Sequence, residues 1–273
     1  MTENDLTTLK NWFSDFTSSF FSSDEGHNKN LRLKIEHTHN VRANITDIGK
    51  ALSLTEERVM LAEAIALFHD IGRFPQYEQY RTFEDSKSVN HGLLGSDTLL
   101  KENILQELPV EERNLIVQSV KFHNVFKIPR LEDENLIFFV KLIRDADKLD
   151  ILRVFIEYYE SPQEQRASAT AFGLPDTPEY SKEILNRLYN KQKVSYSSLR
   201  TLNDFKLMNL SWTYALHYKA SYRLLLEKGY LDRIVEHLPE AEEIERVADL
   251  MRKFAQERFQ GTEENNQSQI NQK

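Results

Sequence analysis

Apolar positions along the chain recur mostly at three- and four-residue steps, the period of an amphipathic helix rather than the alternation of a half-buried strand. Leu6, Leu9, Phe13, Phe16 and Phe20 set such a stripe over about residues 5–21, closed by the loop signal Ser22-Ser23-Asp24-Glu25-Gly26. A second helix is expected over 31–52, followed by Ser53-Leu54-Thr55-Glu56, which reads as a stop and then a capping box, and a third over 56–69, ending before Gly72. Residues 73–90 hold Pro75 among aromatic and charged side chains with little periodicity, which predicts a long connection of the kind that often carries function. Helices resume over 91–102, 110–123 and 134–159, with Pro109 and Pro129 as punctuation.

Beyond Ser161-Pro162 the character changes. Gly173 to Pro178 predicts a loop with Thr177 as N-cap and Pro178 at the first helical position, then helices over 178–190, 204–229 and 239–259. The expected organisation is a segment 1–29 packing on a core of 30–160, a helical extension of the same domain over 161–260, and a disordered tail over 261–273, rich in Asn, Gln and Glu. Eight Gly and seven Pro among 273 residues, with 40% apolar content, agree with an all-α fold that buries a substantial core.

Chemistry enters through the inward faces. His37 shares a stripe with Val41, Ile45, Ile48 and Leu52, whereas His39 falls with Ala43, Thr46 and Lys50. Ala62, Ile65, Ala66 and His69 form a second inward row, with Asp70 directly after it; Ile116 and Val120 lead to His123; Leu136, Val140 and Ile143 lead to Asp147. One inward His is more often a core residue with a single hydrogen bond than a ligand. A buried carboxylate, however, costs several kcal/mol without compensation. Several imidazoles and two carboxylates aimed into one bundle call for a shared cation, and the absence of Cys leaves only His and carboxylate to hold it.

The string His69-Asp70-Ile71-Gly72, preceded by His37 with Val41 and followed by Asp145-Ala146-Asp147-Lys148-Leu149-Asp150, resembles the HD-domain phosphohydrolase superfamily over about residues 30–160. The resemblance implies an HD-domain-like helical bundle with additional C-terminal helices, in which His37, His69, Asp70 and Asp147 bind a divalent metal. His91 and His123 stand where a second ion would be held, and His91 could instead contact substrate phosphate. A family pattern with two adjacent histidines is replaced here by His123-Asn124, and Asp145 rivals Asp147 as the terminal ligand. The implied activity is cleavage of a phosphomonoester or phosphodiester, of a nucleotide or other small phosphorylated metabolite, by a metal-activated water; the alternative is a catalytically inactive metal- and nucleotide-binding signalling module. Asp70 would orient the water, and Lys148 and Arg73 would contact phosphate, ahead of Arg81 and Arg144, for which a solvated surface charge is the simpler expectation. Mixed imidazole and carboxylate ligands suit one or two ions of Mn, Fe, Co, Ni or Zn.

A net charge of −8 argues against an extended nucleic acid as partner. The polar, acidic first ten residues and the lack of any apolar run approaching the roughly 20 residues needed to span a bilayer predict a cytoplasmic protein without membrane contact. Homo-oligomerisation is left open, with the aromatic segment 212–222 as core or interface. His27, in a polar stretch, His217 and His237 are expected to be structural or exposed.

Overall fold

A computed structural model describes residues 1–162, 164 and 173–261. The disordered tail expected from the sequence lies almost wholly outside the described residues. The chain divides into two compact units, residues 1–173 and 174–273; the sequence pattern sets the change of character at residue 160 and reads the C-terminal helices as an extension of one domain. The fold is all-α, and no strand occurs among the described residues. Among the described residues, no helix is long and apolar enough to cross a membrane.

In the first unit α1 spans Glu3–Ser18, α2 Glu25–Ala51, α3 Glu56–Phe68, α4 Arg73–Tyr80, α5 His91–Glu102, α6 Val110–Phe122 and α7 Glu134–Glu160. The helix α3 is the centre: Leu61, Ala62, Ala64, Ile65, Ala66, Leu67 and Phe68 are all at most 5% exposed, so its C-terminal half is buried. An almost wholly apolar half-helix belongs in a core, and its three alanines let neighbours approach closely. Around it pack α1, α2, α6 and α7. From α2 come Leu31, Val41, Ile45 and Ile48, from α6 Ile116 and Val120, and from α7 Phe139, Val140 and Ile143, all without solvent exposure. On the other side α1 lays Leu6, Leu9 and Phe13 down, and Trp12 meets Phe68 edge-on at 5.9 Å.

Several boundaries differ from the expectation, each for a local reason. The capping box belongs to Thr2 and Asp5 at the start of α1, whereas Thr55 makes no side-chain cap bond at α3. The helix α2 begins at Glu25, because the Asp24 side chain accepts from His27 N and starts the helix inside what reads as a loop. The stretch 73–90 holds α4: Pro75 sits in its first turn, where an amide proton would have no helical acceptor anyway, so it permits the helix it was expected to exclude.

The second unit comprises α8 Lys182–Tyr189, α9 Leu202–Ser211, α10 Lys219–Glu227, α11 Tyr230–Val235 and α12 Glu242–Gln260, with α12 packed against α8, α10 and α11. Its first helix takes Ser181 rather than Thr177 as its N-cap residue, and residues 177–180 run irregularly instead. The single helix expected over 204–229 is broken at Trp212, where the chain tightens into a 3-10 turn before Leu216 and Tyr218 take extended backbone.

Candidate metal centre

The ligand residues arrive at one point because they sit at matching heights of the bundle. His37 lies midway along α2, Asp147 midway along α7, His69 and His123 immediately after the last turns of α3 and α6, and His91 at the first position of α5. Asp70 follows His69 into the turn before α4. All six are at most 9% exposed.

His37 Nε2 lies 3.2 Å from His69 Nε2, 3.1 Å from Asp147 Oδ1 and 3.6 Å from Asp70 Oδ2. His91 Nε2 lies 3.0 Å from His123 Nε2 and 3.3 Å from Asp70 Oδ1, and His123 Nε2 is 3.7 Å from the same oxygen. Two groups of three ligand atoms result, His37 with His69 and Asp70, and Asp70 with His91 and His123, the atoms of each within 4.8 Å of one another. Asp70 belongs to both, one oxygen turned to each.

The protonation pattern tests whether a cation fits. Every Nδ1 faces an acceptor: His37 faces Asp150 Oδ2 at 2.7 Å, His69 the Ala66 carbonyl at 2.7 Å, His91 Asp85 Oδ2 at 2.7 Å and His123 the Val120 carbonyl at 2.7 Å. In a neutral imidazole the proton is therefore on Nδ1 and the lone pair on Nε2. Two pairs of lone pairs then face each other at 3.2 and 3.0 Å, which is repulsive unless positive charge sits among them. The donor set, imidazoles with fixed tautomers beside buried carboxylates, fits divalent metal.

In the absence of metal, protons and cations share that role. Burial pulls the His37 imidazole down, but the bonds to Asp147 and Asp150 override it and hold the group up at about 9. Burial and the neighbouring Arg73 charge push His91 down to about 3. Asp70 and Asp147 are held well below the ordinary carboxylate range in spite of burial, Asp70 chiefly by the Lys34 ammonium and Asp147 by the bonds from His37 and His69.

The other residues singled out from sequence take different places. Arg73 is drawn in: its Nε is 3.5 Å from Asp70 Oδ1, and its NH1 bonds Asp85 Oδ1 at 2.9 Å, Gln76 Oε1 at 2.9 Å and the Phe83 carbonyl at 2.5 Å. Through NH1 and Nε that guanidinium ties protein groups together. Lys148 Nζ reaches the Arg144 carbonyl, 3.4 Å away along its own helix. Arg144 is not the solvated charge expected: it is 5% exposed and donates to the His123 and Val125 carbonyls at 2.7 and 2.6 Å. Arg81 is exposed and pairs with His27, which is itself buried in the first turn of α2 and donates from Nε2 to the Phe20 carbonyl, 2.9 Å away.

Three contributors escaped the sequence reading as participants: Lys34, 2.8 Å from Asp70 Oδ2; Asp150, behind His37; and Asp85, behind His91. Helical phase could have found two of them, since Lys34 is one turn before His37 and Asp150 one turn after Asp147.

The all-helical bundle gathers His, His-Asp and Asp from separate helices into two buried groups that could hold a metal ion. Residues 35–152 match the family model of the HD domain, and this segment of the chain is an HD domain. No curated protein and no solved structure matches the chain.

Proposed function

We propose that the chain is a metal-dependent phosphohydrolase that cleaves a phosphomonoester or phosphodiester of a nucleotide or another small phosphorylated metabolite. The observation that carries it is Asp70, whose two oxygens are divided between the two ligand groups. Proteins of the HD family are generally metal-dependent phosphohydrolases, and the ligand types His37, His69, Asp70 and Asp147 are all present in order. Divalent ions, when bound, supply Lewis acidity that neutralises phosphoryl charge and makes water a better nucleophile at neutral pH.

The protein's part is positioning and electrostatics. Fixed Nδ1 partners hold each imidazole in the tautomer that can ligate, so no reorganisation accompanies binding. Lys34 Nζ, with its side chain 16% exposed beside Asp70, places a cation where phosphoryl oxygens approach. Lys148, next to Asp147, is assigned the corresponding contact from α7. The net charge of −8 favours a small substrate gripped locally over a polyanion held by a broad surface.

The test is metal analysis of wild type, Asp70→Ala and His69→Ala together with phosphate release from a panel of nucleotides and simple phosphoesters. Bound metal and turnover that both vanish in the variants support the proposal. Wild type that binds metal and nucleotide yet releases no phosphate identifies a binding module instead.

A further inference from the structure

The four imidazoles are held in two different ways. His69 and His123 each follow the last turn of a helix, and each Nδ1 gives its proton to the carbonyl three residues back, Ala66 and Val120, at 2.7 Å. Such a ring is set by its own helix. His91 has no such recourse: it is the first residue of α5, so no helical turn precedes it and no carbonyl lies behind the ring. Its acceptor must come from elsewhere in the chain, and it comes from the segment between α4 and α5.

Asp85, in the 3-10 turn Asp85–Lys87, places Oδ1 at 2.9 Å and Oδ2 at 2.7 Å from His91 Nδ1. The carboxylate is itself held on three sides, by Arg73 NH1 at 2.9 Å, Gln76 Nε2 at 3.0 Å and Asn124 Nδ2 at 3.1 Å. Gln76 is wholly buried and also reaches Ser88 Oγ and the Val89 carbonyl, each at 2.9 Å, so α4 fastens the whole segment. Arg73 meanwhile touches Asp70, the residue shared by both ligand groups.

We propose that Asp85 is a positioning residue for the second metal group, holding His91 as the Nδ1–H tautomer with Nε2 aimed at Asp70 and His123, and that Arg73 and Gln76 hold Asp85 in turn. The proposal rests on reading the cluster as a metal centre. A carboxylate suits the task because it only accepts, so it admits a single tautomer, and its charge makes the imidazole a stronger donor to metal. The first group, built on His37, His69, Asp70 and Asp147, does not use Asp85.

The full-length chain, stripped of metal and titrated with Mn(II), gives the test through ion stoichiometry after equilibrium dialysis and electron paramagnetic resonance of the bound ions. Wild type is expected to take up two ions with a spin-coupled signal. Asp85→Ala is expected to keep the first ion, show the isolated Mn(II) signal, and bind the second about 10- to 100-fold more weakly, as loss of such an outer partner does elsewhere. Asp85→Asn keeps the shape and one acceptor oxygen, so it recovers part of the second-ion affinity; it also decides the matter should Asp85→Ala fail to fold. Asp85→Asn or Asp85→Ala with second-ion affinity equal to wild type would overturn the proposal, as would a wild type that takes up one ion only. Phosphate release is measured separately: wild type with two coupled ions and no turnover defeats the hydrolase reading and leaves the role of Asp85 standing.

Discussion

Lys34 Nζ stands 2.8 Å from Asp70 Oδ2, the carboxylate oxygen turned toward His37 and His69. The ammonium comes from α2, one turn before His37, and is the chief reason that Asp70 is held ionised in spite of its burial. On the proposed function, metal bound at Asp70 would free the same ammonium for an incoming phosphoryl oxygen. Lys34→Met is therefore expected to lower kcat/KM by about 100-fold, the usual consequence of removing one preorganised charge donor, with bound metal unchanged. Steady-state kinetics beside metal analysis checks it; loss of metal in parallel with activity would place Lys34 in ion binding instead.

The metal-free protein should show a stability maximum near neutral pH. His37, held at about 9, keeps a proton that an unfolded imidazole gives up near 6.5. Its contribution is complete below that value and disappears as pH rises through 9. His91, pushed down to about 3, is folded in its neutral form, so its contribution is complete above 6.5 and is lost as pH falls toward 3. Melting temperatures measured in chelator from about pH 5 to 9 should fall on both sides of a maximum close to 6.5. His37→Gln should flatten the alkaline side and His91→Gln the acid side; a profile unchanged by either substitution would contradict the assignment.

Gly72, the last residue of the His69 to Gly72 string, is constrained by crowding rather than by its backbone angles. A Cβ there would lie 2.3 Å from the His91 carbonyl oxygen and 2.6 Å from Gly95 N, both backbone atoms that cannot rotate away. The turn after Asp70 thus rests directly on the first turns of α5, which is how the two ligand groups come close enough to share a carboxylate. Gly72→Ala is expected to cost about 1–3 kcal/mol, the range for overpacking, and to reduce the number of ions bound. Urea denaturation in chelator reads the first effect and Mn(II) titration the second.

Legibility in the sequence obeys the same physics. His37, His69, His123 and Asp147 were legible because each ends or shares an apolar helical stripe, so its direction is set by the period of its own helix. Asp70 was legible from its place directly after the His69 row, whereas His91 needed the family pattern, since it opens a helix. Asp85 was not legible, because its approach to His91 depends on the path of the segment 81–90, where no periodicity operates. The helix α4 was hidden by Pro75, whose usual helix-breaking effect does not apply in a first turn. Arg144 was misjudged because a lone basic residue on a long helix is normally solvated, and its burial depends on where α6 ends.

That burial supports a final expectation. The last carbonyls of a helix have no amide of their own to accept from and carry the negative end of its dipole. Arg144 meets this need at the end of α6, with NH1 2.7 Å from the His123 carbonyl, 2.6 Å from that of Val125 and 3.4 Å from that of Phe122. His123, whose ring belongs to the second candidate ligand group, is thus gripped through its backbone by a charge from α7. Arg144→Met keeps most of the volume but removes the donors, so it should destabilise the metal-free protein by about 2–3 kcal/mol, the range for hydrogen bonds to a charged group. Because His123 belongs to the second ligand group, Mn(II) titration should show weaker binding of the second ion and an unaltered first. Arg144→Lys should recover part of the loss, since all three contacts are made by NH1 alone and an ammonium also carries several donors. Denaturation midpoints within about 0.5 kcal/mol of wild type for Arg144→Met would mean that water replaces the guanidinium without loss, as expected only for an exposed surface charge.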